Sequence, residues 1–326
     1  MRYTHVGSSG LEISRLVLGM MSFGDTSRRA WHLDLDAARP LVRRAVEAGV
    51  TAYDTADVYD RGASEEVTGR LLRELFPRRD DYVVSTKVYY PMSEARGDRG
   101  LSRRHVLSSI DASLRRLGTD HVDVYYVHRW DHETPIEETM EALDSVVRAG
   151  KAGYLGASSM YAWQFAKAQH VAEQNGWHRF VAMQNHYHLA YREEEREMVP
   201  LCLDQGVGLL PYSPLARGLL TGTRARGGSG STTRSGNDPA AQELYSDADF
   251  DVVDALVEVA TELGRPPAQV ALAWLRDRPG VAAPIVGVTK AAHLEDALAA
   301  LDLELGPEEC ARLEAAYVPH VVVGPE

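Results

Sequence analysis

In the stretch TAYDTADVYD, residues 51–60, a strand-like apolar run stops at Asp54, and the phenol Tyr59 follows five residues on. Other runs end the same way. YVVSTKV (82–88) reaches Lys87, VDVYYVH (122–128) ends on His128, and GYLGAS (153–158) ends on Ser158. FVAMQN (180–185) carries Gln184, and VGLLPYS (207–213) carries Tyr212. A strand needs no polar terminus for its own stability. Each residue taken singly has an ordinary reading: Asp54 as a turn or cap residue, His128 as a hydrogen-bonded core histidine, Ser158 as a helix cap, Tyr212 as core. Lys87 is different, because a lysine ending a buried strand must find a charge partner or leave the interior. With Asp54 as that partner, the chemistry is acid–base. The ammonium favours a nearby phenolate, so Tyr59 is expected to titrate below its ordinary value of about 10 and to serve as a proton donor.

Residues from separate strands act together only if the fold gathers the strand ends. The runs RLVLGM (15–20), TAYDT (51–55), 82–88, 122–128, 153–158, 180–185, 207–213 and VAAPIVGV (281–288) make eight short strands. Stretches with apolar residues at helical spacing separate them, namely 35–50, 103–118, 135–150 and 193–206, several of them closing on Gly. This βα alternation, unbroken by a linker, predicts an α/β fold: a single-domain (βα)8 TIM barrel over residues 1–326, with the strand ends on one face. Alternation along 82–88 and 122–128 lets Lys87 and His128 both point to the barrel axis. An open doubly wound sheet uses the same alternation, but no G-x-G-x-x-G follows the first strand. Residues 219–242, rich in Gly, Ser, Thr and Arg, read as a flexible loop or a lid beside the seventh strand.

Composition narrows the partners. The chain has 326 residues, 44% hydrophobic and 25% charged, with a formal net charge of −12, which disfavours a nucleic-acid footprint. Two cysteines, Cys202 and Cys310, are too few for a disulfide framework and suit a reducing compartment. No signal sequence opens the chain, and no apolar run approaches the roughly 18 residues of a membrane span. The expectation is a soluble, cytoplasmic protein. Twelve histidines, His186 and His188 among them, show no zinc spacing, and Walker, zincin and nucleophile-elbow motifs are missing, so no metal is expected.

Eight strings together resemble the aldo-keto reductases in order and spacing over nearly the whole chain: LGMMSFG (18–24), YDTADVYDRGASEEVTGRLL (53–72), STKV (85–88), VDVYYVHRWD (122–131), GKAGYLGASSM (150–160), MQNHYHLAYRE (183–193), PYSPLARGLLTG (211–222) and PIVGVTKAAHLEDAL (284–298). The resemblance implies a catalytic tetrad of Asp54, Tyr59, Lys87 and His128, and reduction of aldehydes or ketones by NADPH/NADP+. It implies that Ser158 and Gln184 hold the nicotinamide carboxamide, that Tyr212 stacks on the ring, and that Ser213, Leu215 and Gly218 follow the pyrophosphate. Gly287, Thr289, Lys290, His293 and Asp296 would carry the adenosine end, with Lys290 receiving the 2′-phosphate. Ser159 stands where the family usually has Asn, and Ala297 where an adenine-contacting Asn is common. Trp31, Tyr90 and Trp130, in loops after strands, are candidate walls for a small carbonyl substrate. A second function within the resemblance is a cofactor-binding regulatory subunit like the potassium-channel beta subunits, against which the short N-terminus argues. The substrate and the oligomeric state are not read from sequence.

Overall fold

A computed structural model describes residues 1–224, 226 and 245–322. A short antiparallel hairpin, β1 (Tyr3–His5) and β2 (Glu12–Ser14), comes first, and the sequence reading contains no counterpart for it. Then come the eight expected strands: β3 (Val17–Gly19), β4 (Ala52–Asp54), β5 (Val83–Val88), β6 (Val122–Val127), β7 (Ala152–Ser158), β8 (Phe180–Gln184), β9 (Gly208–Leu209) and β10 (Ile285–Gly287). Their order in the sheet is β10-β3-β4-β5-β6-β7-β8-β9, and every pairing is parallel. Parallel bridges from Leu209 to Val281 and from Tyr212 to Ile285 join the last strand to the first and close the barrel.

The helices lie outside: α1 (Leu35–Glu47), α2 (Ala63–Leu75), α3 (Arg103–Leu117), α4 (Ile136–Arg148), α5 (Ala162–Asn175), α6 (Met198–Asp204), α7 (Asp249–Glu262), α8 (Pro267–Arg276), α9 (Ala291–Ala299) and α10 (Pro307–Ala315). Local chemistry sets their ends. The Asp34 carboxylate accepts from Ala37 N–H at the start of α1. At the end of α3, Gly118 takes the left-handed conformation with φ 65°. The run expected as a helix from residue 193 begins only at Met198, because Glu193–Glu195 form a 3-10 turn whose acids pair locally with Arg192 and Arg196.

Two apolar layers follow from the strand alternation. Outward side chains such as Tyr53, Tyr125 and Leu155 pack under the helices. Inward ones, Val17, Ala52, Val124, Tyr126, Ala182 and Ile285, fill the barrel, and Val6, Leu11 and Ile13 of the hairpin plug its lower end. Gly156 makes room for this filling, since a Cβ there would stand 2.2 Å from Tyr126 Cε1. The lower end is therefore apolar and closed, which leaves the polar groups to the strands' C-terminal ends.

Of the loop expected over 219–242, residues 225 and 227–242 lie outside the described residues. Its opening is a correction: Leu219 and Leu220 are fully buried within a 3-10 turn, Ala216–Thr221, so the core continues past strand β9. No described helix is long and apolar enough to cross a membrane.

Candidate active site

Asp54 ends β4 almost fully buried and receives donors on both oxygens. Ser85 Oγ (2.7 Å) and Gln184 Nε2 (2.6 Å) donate to Oδ1, and Lys87 Nζ (2.6 Å) donates to Oδ2. Lys87, only 1% exposed in β5, also donates to the Thr55 carbonyl at 2.8 Å and to the Tyr59 hydroxyl at 3.4 Å. Its three N–H groups are thus fully directed. Burial pulls the ammonium down, but Asp54 and Tyr59 outweigh it and leave Lys87 above its ordinary value, charged near neutrality.

Tyr59 opens the 3-10 turn Tyr59–Gly62 just beyond β4, half-buried, with its ring 4.8 Å from Lys87 Nζ and 5.7 Å from the His128 ring. The expectation that Lys87 carries the phenol below its ordinary value is corrected here. Burial pushes Tyr59 up by more than Lys87 draws it down. The phenol is a proton holder at neutral pH, and the adjacent ammonium is positioned to stabilise the oxygen once the proton leaves. His128 follows β6. Burial first, then the charges of Lys87 and Arg129, hold its imidazole well below the ordinary value, so it is neutral. Its Nδ1 is buried without a partner.

The remaining predicted residues rise from neighbouring strand ends. Ser158 ends β7 with Oγ 3.3 Å from Ser159 Oγ. Gln184 ends β8 and turns its amide toward Asp54. The Tyr212 hydroxyl lies 3.0 Å from Ser159 Oγ, and its ring stacks parallel on His186 at 5.6 Å. Ser159, at the position usual for Asn, adopts φ 46°, the left-handed region that Asn tolerates well.

A nicotinamide dinucleotide needs an aromatic face, polar groups at the ring amide and an open anion-accepting rim, and the chain has each. Ser213, Ala216, Arg217 and Gly218 all carry positive φ, and an added Cβ on Gly218 would meet nothing within 4 Å. Leu215 sits half-buried between them. Gly287 is exposed at the end of β10, and a Cβ there would come no closer than 3.8 Å, to Ser22 Oγ. Thr289 is half-buried, Lys290 is the exposed N-cap of α9 with no side-chain cap bond, and His293 is exposed one turn on. Asp296 accepts from Gln269 Nε2 at 2.9 Å, and Ala297 is buried. These residues fit the cofactor the resemblance implies.

Among the candidate substrate walls, Tyr90 meets the His128 ring edge-on at 5.0 Å. Trp130 packs on Trp163 at 5.9 Å, and Trp31 stands edge-on to His32 at 4.5 Å. Sequence reasoning missed Ser85, Arg129 and His186 as members of the site. Ser85 was reachable, two residues before Lys87 on the same strand face. Among the described residues no group of three or more His, Cys, Asp or Glu side chains could hold a metal ion.

Known proteins resemble this chain along nearly its whole length. The profile of the aldo/keto reductase family matches residues 15–318. The chain is 42% identical over 343 residues to a versiconal hemiacetal acetate reductase of Aspergillus parasiticus, with 99% of this chain and 98% of that protein covered. It is 40% identical over 347 residues to the aldo-keto reductase dtxS3 of Metarhizium robertsii, covering 99% and 92%. It is likewise 40% identical over 338 residues to the aldo-keto reductase AMT2 of Alternaria alternata, covering 97% and 91%.

Proposed function

From a chain that belongs to the aldo/keto reductase family, we propose an NADPH-dependent reductase of aldehydes or ketones in which Tyr59 donates the proton. The observation that carries this reading is Lys87 Nζ held between Asp54 Oδ2 at 2.6 Å and Tyr59 OH at 3.4 Å at the mouth of the closed barrel. A bound nicotinamide would supply the hydride. Tyr59 holds a proton at neutral pH and gives it to the carbonyl oxygen as negative charge develops there. Lys87 stabilises the resulting phenolate, and Asp54 keeps Lys87 charged and aimed. Neutral His128, its ring against both Tyr59 and Tyr90, is placed to hydrogen-bond the carbonyl oxygen without competing as an acid.

Ser158 and Gln184 would face the ring amide and Tyr212 the ring itself. Ser213, Leu215 and Gly218 would follow the pyrophosphate, and Gly287, Thr289, Lys290, His293 and Asp296 the adenosine end. The preference for NADPH is supported by charge. In a protein of net charge −12, a 2′-phosphate needs a local cation, and exposed Lys290 stands at an uncapped helix N-terminus. The relatives reported above carry reductase names, and nothing among them favours a channel-associated regulatory subunit.

One experiment tests the reading. Wild type and Tyr59→Phe are titrated with NADPH and NADH by nicotinamide fluorescence and assayed on an aldehyde panel. NADPH should bind more tightly than NADH and equally to both proteins. Tyr59→Phe should lower kcat by roughly two orders of magnitude or more, as loss of a positioned acid does. A fall of less than tenfold would exclude Tyr59 as the donor, and tighter NADH binding would exclude the NADPH assignment.

A further inference from the structure

Arg129 follows His128 directly and folds back over the site. Its Nη1 donates to the His128 carbonyl at 2.9 Å, and its guanidinium carbon lies 5.7 Å from the centre of the Tyr90 ring. Tyr90 in turn meets the His128 ring at 5.0 Å, and His128 meets Tyr59 at 5.7 Å, so an unbroken run of contacts leads from the guanidinium to the proton-bearing phenol. The charge of Arg129 is felt at Tyr59 and His128 on one side of the barrel mouth and at Tyr212 and His186 on the other. Through Tyr90 and His128 the cation stands on the side of the barrel mouth that holds Tyr59.

Arg129 has no counter-charge beside it among the described residues. The chain has 47 acidic residues against 35 Lys and Arg, and half-buried arginines such as Arg79 and Arg192 are paired, the first with Asp123 and the second with Glu195 and Glu314. Among the described residues no carboxylate oxygen lies within 4.0 Å of Arg129. A guanidinium has five N–H donors in a planar fork, and among the described residues Arg129 uses one of them, on the His128 carbonyl. The free edge matches a carboxylate in two-point geometry. The residue is half-buried beside the Tyr90 ring, and partial burial strengthens such a contact relative to one at an open surface.

We propose that Arg129 is an anion subsite beside the reacting carbonyl and that the favoured substrates are aryl aldehydes or ketones carrying a carboxylate. Tyr90 supplies the flat wall for the ring, and Arg129 anchors the acid. The inference rests on the reductase reading for its substrate and on Arg129 alone for its anion. The net negative charge of the molecule opposes such a ligand, so a carboxylate needs a local cation, and Arg129 supplies one beside Tyr90.

The test uses the 2-, 3- and 4-formylbenzoates and their methyl esters, which differ by the charge at nearly constant shape. Wild type, Arg129→Gln and Arg129→Lys are assayed with cofactor. For at least one isomer, wild type should favour the acid over its ester in kcat/KM by roughly tenfold or more, with the difference in KM. Arg129→Gln should lower that acid-to-ester ratio by a similar factor, and Arg129→Lys should recover part of it. Ratios within threefold of unity for all isomers in wild type, or equal losses for acid and ester in Arg129→Gln, would overturn the subsite while leaving the reductase standing. Calorimetry with the matching hydroxymethylbenzoates separates the two readings if no aldehyde is turned over. Binding weakened roughly tenfold by Arg129→Gln sustains the subsite without the reductase. Binding that the substitution leaves unchanged removes it.

Discussion

Lys87 shows how one buried charge serves both stability and chemistry. At 1% exposure its ammonium is tolerated because Asp54 Oδ2 stands 2.6 Å away and the Thr55 carbonyl 2.8 Å away. Lys87→Met should therefore act in two separable ways. It leaves a buried carboxylate without its counter-ion, which costs about 3–5 kcal/mol in urea unfolding. It also removes the charge that draws the Tyr59 phenol down, so the alkaline limb of the pH–rate profile should move to higher pH while turnover falls. Adding Asp54→Asn removes the stranded charge and should restore much of the stability but none of the turnover. Turnover that returned along with stability would reduce Lys87 to a structural role. The Asp54–Lys87 partnership was legible in sequence because a lysine that ends a buried strand has few ways to be satisfied. Gln184 was legible only as a strand end. Its bond to Asp54 joins residues 130 apart in the chain, and nothing local records it.

At the scale of elements, all eight barrel strands were legible, since each lies in a short, largely apolar run set apart by helical stretches. The hairpin β1–β2 was not, because its three-residue strands are partly exposed and too short to show a period. The fall in Tyr59 acidity expected from Lys87 was misjudged for a related reason: sequence shows the neighbour but not the depth of burial. The turn after β7 was also hidden. Ser159 there combines φ 46° with a 3.0 Å contact to the Tyr212 hydroxyl, tying two strand ends together. Ser159→Ala keeps the strained backbone and loses the contact, whereas Ser159→Gly loses the contact but relaxes the backbone. Gly should therefore be the more stable variant by about 1 kcal/mol. Both should weaken cofactor binding by freeing the Tyr212 ring. Equal denaturation midpoints for the two would show that the left-handed turn carries no strain.

Over the whole molecule, the buried imidazoles set a pH dependence. Burial holds His128 and His188 well below their ordinary value, and His186 falls to about 3, burial acting first and Arg217 next. A histidine titrates near 6.5 when unfolded. A folded value below the unfolded one means that the unfolded chain takes up protons first. The stability held by these neutral rings is present above about pH 6.5 and is lost as pH falls from there toward 3. Asp57 has the opposite sign: burial, then Glu65, raises it to about 7, so its contribution is present below its unfolded value and is lost as pH rises through 7. His186 can be isolated from this background. Its ring lies between Tyr191 at 4.5 Å and Tyr212 at 5.6 Å, and its Nε2 meets His188 Nε2 at 2.9 Å, a contact that requires one nitrogen to donate and the other to accept. Protonating both rings would set two donors against each other. His186→Phe keeps an aromatic ring in the stack, removes one of the coupled bases and leaves Asp57 untouched. At pH 8 it should cost about 1 kcal/mol for the lost hydrogen bond. Between about pH 6.5 and 4 its urea midpoint should decline less steeply than that of wild type, so the two curves converge as acid is added. Curves that stay parallel over that range would mean that the acid sensitivity of the fold lies outside the ring stack beneath Tyr212.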